Sequence, residues 1–155
     1  MKKISLIILL LLIPTSIFGC QDTIKDFNKS GITITLTRAF QNKDVSNFQI
    51  YLESAGILFM GNGELKTEVT TTTLTTYTEA VLILTTNPSE IVEYNENGVT
   101  FMYAYYTDKD DKYCYMLITK EGISKYYTMC FACAKAELEK NKNQFMKWAK
   151  TINVE

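Results

Sequence analysis

Apolar and polar positions alternate with a period of two along much of this chain, so strands are the dominant expectation. Ile32, Ile34 and Leu36 alternate with Thr33, Thr35 and Thr37, which buries one face of that run. Phe48, Ile50 and Leu52 repeat the pattern. Ser54-Ala55-Gly56 then turns the chain into a strand at Ile57 to Met60, and Gly61-Asn62-Gly63 is expected to break it. Ile91 to Tyr94, Val99 to Tyr106, Tyr113 to Thr119 and Ser124 to Ala132 read as a four-strand meander. Its turns fall at Asn95-Glu96-Asn97-Gly98, at Thr107 to Lys112 and at Lys120-Glu121-Gly122. Two segments change period. Within Thr70 to Asn87 the Thr, Val and Ile content favours strand, whereas Leu74, Tyr77, Val81 and Leu84 share one helical face. The spacing predicts a helix there, capped by Thr71 to Thr73 and stopped by Asn87-Pro88. Leu138, Phe145, Trp148, Ala149 and Ile152 predict an amphipathic terminal helix packed on the sheet. The expected fold class is α+β, an antiparallel β-sheet flanked by helices.

The first twenty residues follow neither period. Lys2 and Lys3 precede an apolar run from Ile4 to Ile13, interrupted only by Ser5, and Pro14 to Gly19 closes it before Cys20. Such a run is short for a bilayer span, which takes roughly 20 residues. The arrangement resembles a bacterial lipoprotein signal, in which cleavage falls before a cysteine whose thiol receives a diacylglyceryl group and whose new amino group is then acylated by a chain such as palmitate. Cys20 is the matching lipid-attachment position, with Gly19 as the small residue before the cut; Ile17 and Phe18 depart from the usual residues there. The expected organisation is a signal at 1–19, a lipidated cysteine and tether at 20–30, and one domain at 31–155. Gln21 after the cysteine, in place of Asp, implies outer-membrane sorting in a diderm host.

Removing Lys2 and Lys3 with the signal leaves 14 of 16 basic residues against 17 acidic ones, a net charge near −3. Arg38 is the single arginine, and no cationic run exists. Phosphate binding needs clustered cations, so nucleic acid is excluded as a partner class. Membrane attachment likewise depends on the lipid anchor alone. With Cys20 acylated, Cys114, Cys130 and Cys133 remain, and their odd number leaves at least one thiol free. A turn that faces Lys120 with Ser124 sets Cys114 opposite Cys130 and makes these two the candidate disulfide. A two-residue turn would place Met129 there and forbid the bond.

The order of elements resembles the PsbP-like fold, an α/β/α sandwich shared by the photosystem oxygen-evolution protein, the Ran-binding nuclear import factor and many short bacterial lipoproteins. The residues that carry the resemblance are Gly31-Ile-Thr-Ile-Thr-Leu-Thr37 and Met129-Cys-Phe-Ala-Cys-Ala134. The latter leads into Lys135-Ala-Glu-Leu-Glu-Lys-Asn141 and Phe145-Met-Lys-Trp-Ala-Lys-Thr-Ile152. The Thr-rich approach to the first helix departs from the pattern. The resemblance implies no catalytic residues and a role in binding other proteins.

Candidate chemistry adds little to that. The chain has no histidine, which removes the usual base or ligand of serine triads, Cys-His dyads and most catalytic zinc sites. Gly61-Asn62-Gly63-Glu64-Leu65 lacks the lysine and spacing of a phosphate loop. Glu90 and Glu93 sit beside a turn and read as solvated surface. Asp108-Lys109-Asp110-Asp111-Lys112 begins like a calcium loop, but Tyr113 and Thr119 stand where glycine and glutamate are required. Cys130 and Cys133 in extended chain point to opposite faces, against a thioredoxin-type pair. No catalytic residue, metal or cofactor is therefore assigned. Seven of the ten tyrosines lie in the last three strands of the meander, and amphipathic aromatics make binding surfaces, so Tyr103, Tyr105, Tyr113, Tyr115 and Tyr126 are the candidate contact residues. The expected function is a non-enzymatic, lipid-anchored envelope module binding a protein partner. The alternatives are an immunity-type lipoprotein neutralising a delivered toxin and a thiol redox protein.

Overall fold

The computed structural model describes residues 23–155. The candidate lipid site Cys20 and the signal lie outside the described residues. Two antiparallel sheets hold the domain together. The smaller has the order β1-β2-β10, from Ile24–Lys29, Ile32–Thr37 and Asn153–Val154. The larger has the order β3-β4-β5-β9-β8-β7-β6. Its strands are β3 (Gln41–Asn42), β4 (Ile50–Ser54), β5 (Ile57–Leu65), β6 (Val92–Glu96), β7 (Val99–Thr107), β8 (Tyr113–Glu121) and β9 (Lys125–Ala134). Three hairpins turn on two residues with positive φ: Ser30-Gly31, Ala55-Gly56 and Asn97-Gly98. That handedness matches the right-handed twist of the strands each turn joins.

Helix α1 (Leu74–Leu82) overrides the strand propensity of its threonines because its start is capped twice. Thr73 Oγ1 accepts from Thr76 N–H at 3.2 Å, and Thr76 Oγ1 accepts from Thr73 N–H at 3.3 Å. Its inner face then buries Tyr77, Thr78 and Leu82. The buried Thr78 hydroxyl is satisfied by Leu74 O at 2.7 Å and the Thr119 hydroxyl at 2.6 Å. The helix stops at Leu82, earlier than Asn87-Pro88, because Thr85 donates through both its N–H and its hydroxyl to Leu82 O, at 2.9 and 2.7 Å. Leu84, expected on the buried face, is consequently 87% exposed. Helix α2 (Leu138–Ala149) follows a 3₁₀ turn at Lys135–Glu137 and buries Phe145 and Ala149.

The two helices lie on opposite faces of the seven-stranded sheet. On one face, Phe59, Phe101, Met116, Ile118, Met129 and Phe131 pack against Ile32, Ile34 and Leu36 of the small sheet and against Phe145 and Ala149 of α2. Phe131 and Phe145 stack at 5.0 Å, and Phe40 meets Trp148 edge-on at 5.3 Å. On the other face, Met60, Ala104, Leu117, Cys130 and Ala132 meet Leu82 of α1.

The molecule is thus a mostly antiparallel β protein with two helices, coarser than the expected α/β/α sandwich. A nine-residue helix covers only part of one face, and on the other the small sheet shares the cover with α2. Two further expectations are corrected. Residues 24–29, expected as tether, form β1, whose Phe27 is buried although its neighbours are polar. Gly61-Asn62-Gly63 does not break β5, which runs through it. A Cβ at Gly61 would lie 2.9 Å from Met129 Cγ and one at Gly63 2.7 Å from the Tyr127 ring, so these glycines serve close packing.

Candidate functional site

The short roof of α1 leaves an open groove of about 660 Å³ on its face of the sheet. Its floor comes from four adjacent strands: Tyr51 of β4, Leu58 and Met60 of β5, Cys130 of β9 and Tyr115 of β8, with Tyr106 of β7 beside them. Phe48, in the loop before β4, and Leu84, just past α1, form the walls. Asp108 and Lys109 stand at one end. Tyr106 and Tyr115, register partners on β7 and β8, stack at 4.7 Å with ring planes 6° apart, and Phe48 tilts against Tyr51 at 5.8 Å.

Three groups on the groove's floor keep their protons at ordinary pH. Burial raises the Cys130 thiol to about 11, and burial next to that thiol carries the Tyr106 hydroxyl far above its usual range. Tyr106 Oη lies 3.5 Å from Cys130 Sγ. Burial also raises Tyr115. A protonated thiol is a poor nucleophile, so the groove offers apolar contact and a few hydrogen-bonding tips.

The five tyrosines expected to form one surface are separated by the pleat. Tyr103 and Tyr105 are on the α2 face, packed edge-to-face at 6.2 Å, with Lys142 Nζ over Tyr105 at 5.4 Å. Burial raises Tyr105 to about 12. Tyr115 alone of the five lines the groove. Tyr113 is exposed at the start of β8, and Tyr126 is buried under α1, stacked on Tyr77 at 4.8 Å. Phe48, Tyr51, Tyr106 and Leu84 were not among the candidates. Tyr106 follows Tyr105 directly, and only the register says which of the two faces which helix.

The candidate Cys114–Cys130 disulfide is also corrected. Strand β8 continues through Glu121, which pairs with Tyr126, and the chain reverses over Gly122 to Lys125. Neighbouring segments hold that turn: Ile123 N–H donates to Glu155 O at 3.2 Å, and Lys66 N–H to Ser124 O at 3.0 Å. The resulting register sets Cys114 opposite Cys133, and Cys130 opposite Leu117 on the other face. All three thiols are free and buried. As expected, Cys130 and Cys133 face opposite ways. The Asp108 to Lys112 segment is a polar turn, in which Asp108 Oδ1 accepts from the N–H groups of Lys112 and Tyr113 at 2.7 and 2.8 Å.

No family model matches the chain, and no curated protein matches it. Among solved structures it is similar to the solution structure of cyanobacterial PsbP (CyanoP) from Synechocystis sp. PCC 6803. That likeness has a TM-score of 0.61 over 86% of this chain and 94% of that one, at 11% identity. The fold is therefore PsbP-like, and at this identity the likeness concerns the fold alone.

Proposed function

We propose that this protein is a non-enzymatic, lipid-anchored component of a bacterial cell envelope that holds an apolar segment of a protein partner in the groove left open past the end of α1. The groove itself is the observation that carries this reading. It is open and aromatic-floored, with Ile83 and Leu84 exposed by 82% and 87% beside it. Exposed large aliphatic residues next to an unfilled apolar groove suit an extended contact with side chains of a polypeptide, where tyrosines act as anchors. Anchoring through Cys20 rests on the N-terminal pattern, and the α/β/α arrangement of the fold family remains the finer architectural reading.

A photo-cross-linking amino acid at Phe48 in the groove, and separately at Tyr103 on the opposite face, tests it in cells of the native host. One discrete cross-linked protein from position 48, none from position 103, and loss of the adduct on Leu84→Asp is the expected result. Equal capture from both faces, or an adduct indifferent to Leu84→Asp, would overturn the groove assignment. Cell fractionation tests the anchor: Cys20→Ala should release the protein from the membrane fraction, because stable attachment takes more than one acyl chain.

A further inference from the structure

We propose that Cys114 and Cys133 are a cross-strand dithiol that closes to a reversible disulfide when a disulfide oxidant is supplied, leaving Cys130 out. The two are direct register partners on β8 and β9, and both are free and buried. They point to the same side as Met116, Ile118 and Phe131, under α2. Cys130 points to the other side, which keeps it away from both.

The ladder's hydrogen bonds define what the pair can do. Lys135 N–H donates to Lys112 O at 2.8 Å and Gly122 N–H to Lys125 O at 2.9 Å, so the even-numbered positions of β8 form the closely bonded pairs. Cys114 and Cys133 are one of these, with Cα atoms about 5.5 Å apart. A disulfide accepts Cα separations of about 4.4–6.8 Å, so the backbone permits the bond. Directly opposed Cβ atoms stand roughly 4.5–5.5 Å apart, against about 3.8 Å in a relaxed disulfide. The strands must draw together to close it. A bond formed under that tension is reopened more easily than a structural one.

Access comes from the end of the ladder. The pair lies one position inside the end of β8 and of β9, where the chain leaves for the polar Asp108 to Lys112 turn and for the 3₁₀ turn. Strand ends open locally far more often than strand centres. Burial raises both thiols; Asp111, Lys135 and Lys142 act on Cys114, and Asn141 and Glu137 on Cys133. Thiolate is therefore scarce, and exchange is slow in neutral buffer. The step balances through glutathione disulfide. One protein thiol loses its proton and attacks the oxidant, releasing one glutathione thiolate. The second protein thiol then displaces the other glutathione from the mixed disulfide. Two electrons pass to the oxidant, and the protein loses two hydrogens.

The test uses the full-length protein equilibrated with glutathione disulfide in mildly alkaline buffer, quenched with acid and alkylated under denaturing, non-reducing conditions. Trypsin and chymotrypsin together cut after Phe131 and so separate Cys130 from Cys133. The expected result is one linked peptide pair joining Cys114 to Cys133 in most molecules, with Cys130 alkylated. The link should disappear when reduced glutathione is supplied in excess, persist in Cys130→Ser and be absent from Cys133→Ser. Recovery of Cys114 and Cys133 both alkylated, or each carrying its own glutathione, would overturn the pairing. So would a link through Cys130, or a bond that reduced glutathione leaves closed. The wild-type map decides the matter even if a serine variant fails to fold, and it is independent of the groove.

Discussion

On the α2 face of the large sheet, Phe131 lies against Phe59 and Phe145, each at 5.0 Å, and Phe101, Met116 and Ile118 are wholly enclosed. On the α1 face, alternate residues of the same strands end in a stacked tyrosine pair beside an unfilled groove. Sequence neighbours such as Tyr105 and Tyr106 therefore serve different ends. Close packing of large apolar rings supplies stability on the first face. On the second, side chains with an apolar body and a polar tip suit a boundary that is half wet. A single sheet can thus separate the groups that hold the fold from those free to meet another molecule.

The comparison breaks first at Phe145. Phe145→Ala should cost ~3–5 kcal/mol, a large share of the ~5–15 kcal/mol available to a domain. Thermal unfolding followed by circular dichroism reads this directly, and a shift of only a few degrees would show that the α2 face is not the source of stability. The next effect is alkaline. Cys130 is raised by burial from 9.0 to about 11, so the unfolded chain loses that proton first. Its contribution is complete below pH 9 and is lost as pH rises toward 11, by ~2–3 kcal/mol at about 1.4 kcal/mol per pKa unit. Tyr105, raised to about 12, adds its own loss at the upper end of that range. Urea unfolding of wild type against Cys130→Ala isolates the thiol's share, and parallel pH profiles would contradict it.

Thr73→Ala removes the cap of α1 and should cost ~1 kcal/mol. Amide exchange should accelerate in Leu74–Leu82 and stay unchanged in Leu138–Ala149; equal acceleration in both would mean that the faces are not independent. The smallest effect on stability belongs to Leu84→Ser, within about 0.5 kcal/mol of wild type. Capture at the groove should nevertheless fall about tenfold, because an exposed anchor acts on binding alone.

Much of this fold was legible as pattern. Strand β2 buries each of the residues its alternation marks, the Asn97-Gly98 turn lies where the dipeptide predicts it, and α2 presents Phe145 and Ala149 inward. The misses share a cause: each depended on a partner distant in sequence. Strand β1 buries only Phe27 and is recruited by pairing with β2. Gly61 and Gly63 read as breakers because nothing local shows Met129 and Tyr127 pressing on them. The Cys114 register moved because Glu155 and Lys66 hold the β8 to β9 turn in place. The groove was least visible of all, since its lining comes from β4, β5, β7, β8 and β9 together and becomes a site only once α1 proves too short to cover it.

The small sheet also imposes an order in time. Strand β10 completes it against β2, Thr151 Oγ1 accepts from Thr35 N–H 116 positions away, and Lys120 Nζ donates to Ile152 O at 2.6 Å. Contacts of such long range form slowly and late. A growing chain can assemble the β6 to β9 meander as it emerges, but Ile32, Ile34 and Leu36 have no completed roof until α2 and β10 follow. During synthesis the polypeptide consequently stays open at its most apolar seam. That interval is the one in which a chaperone would find it unfolded.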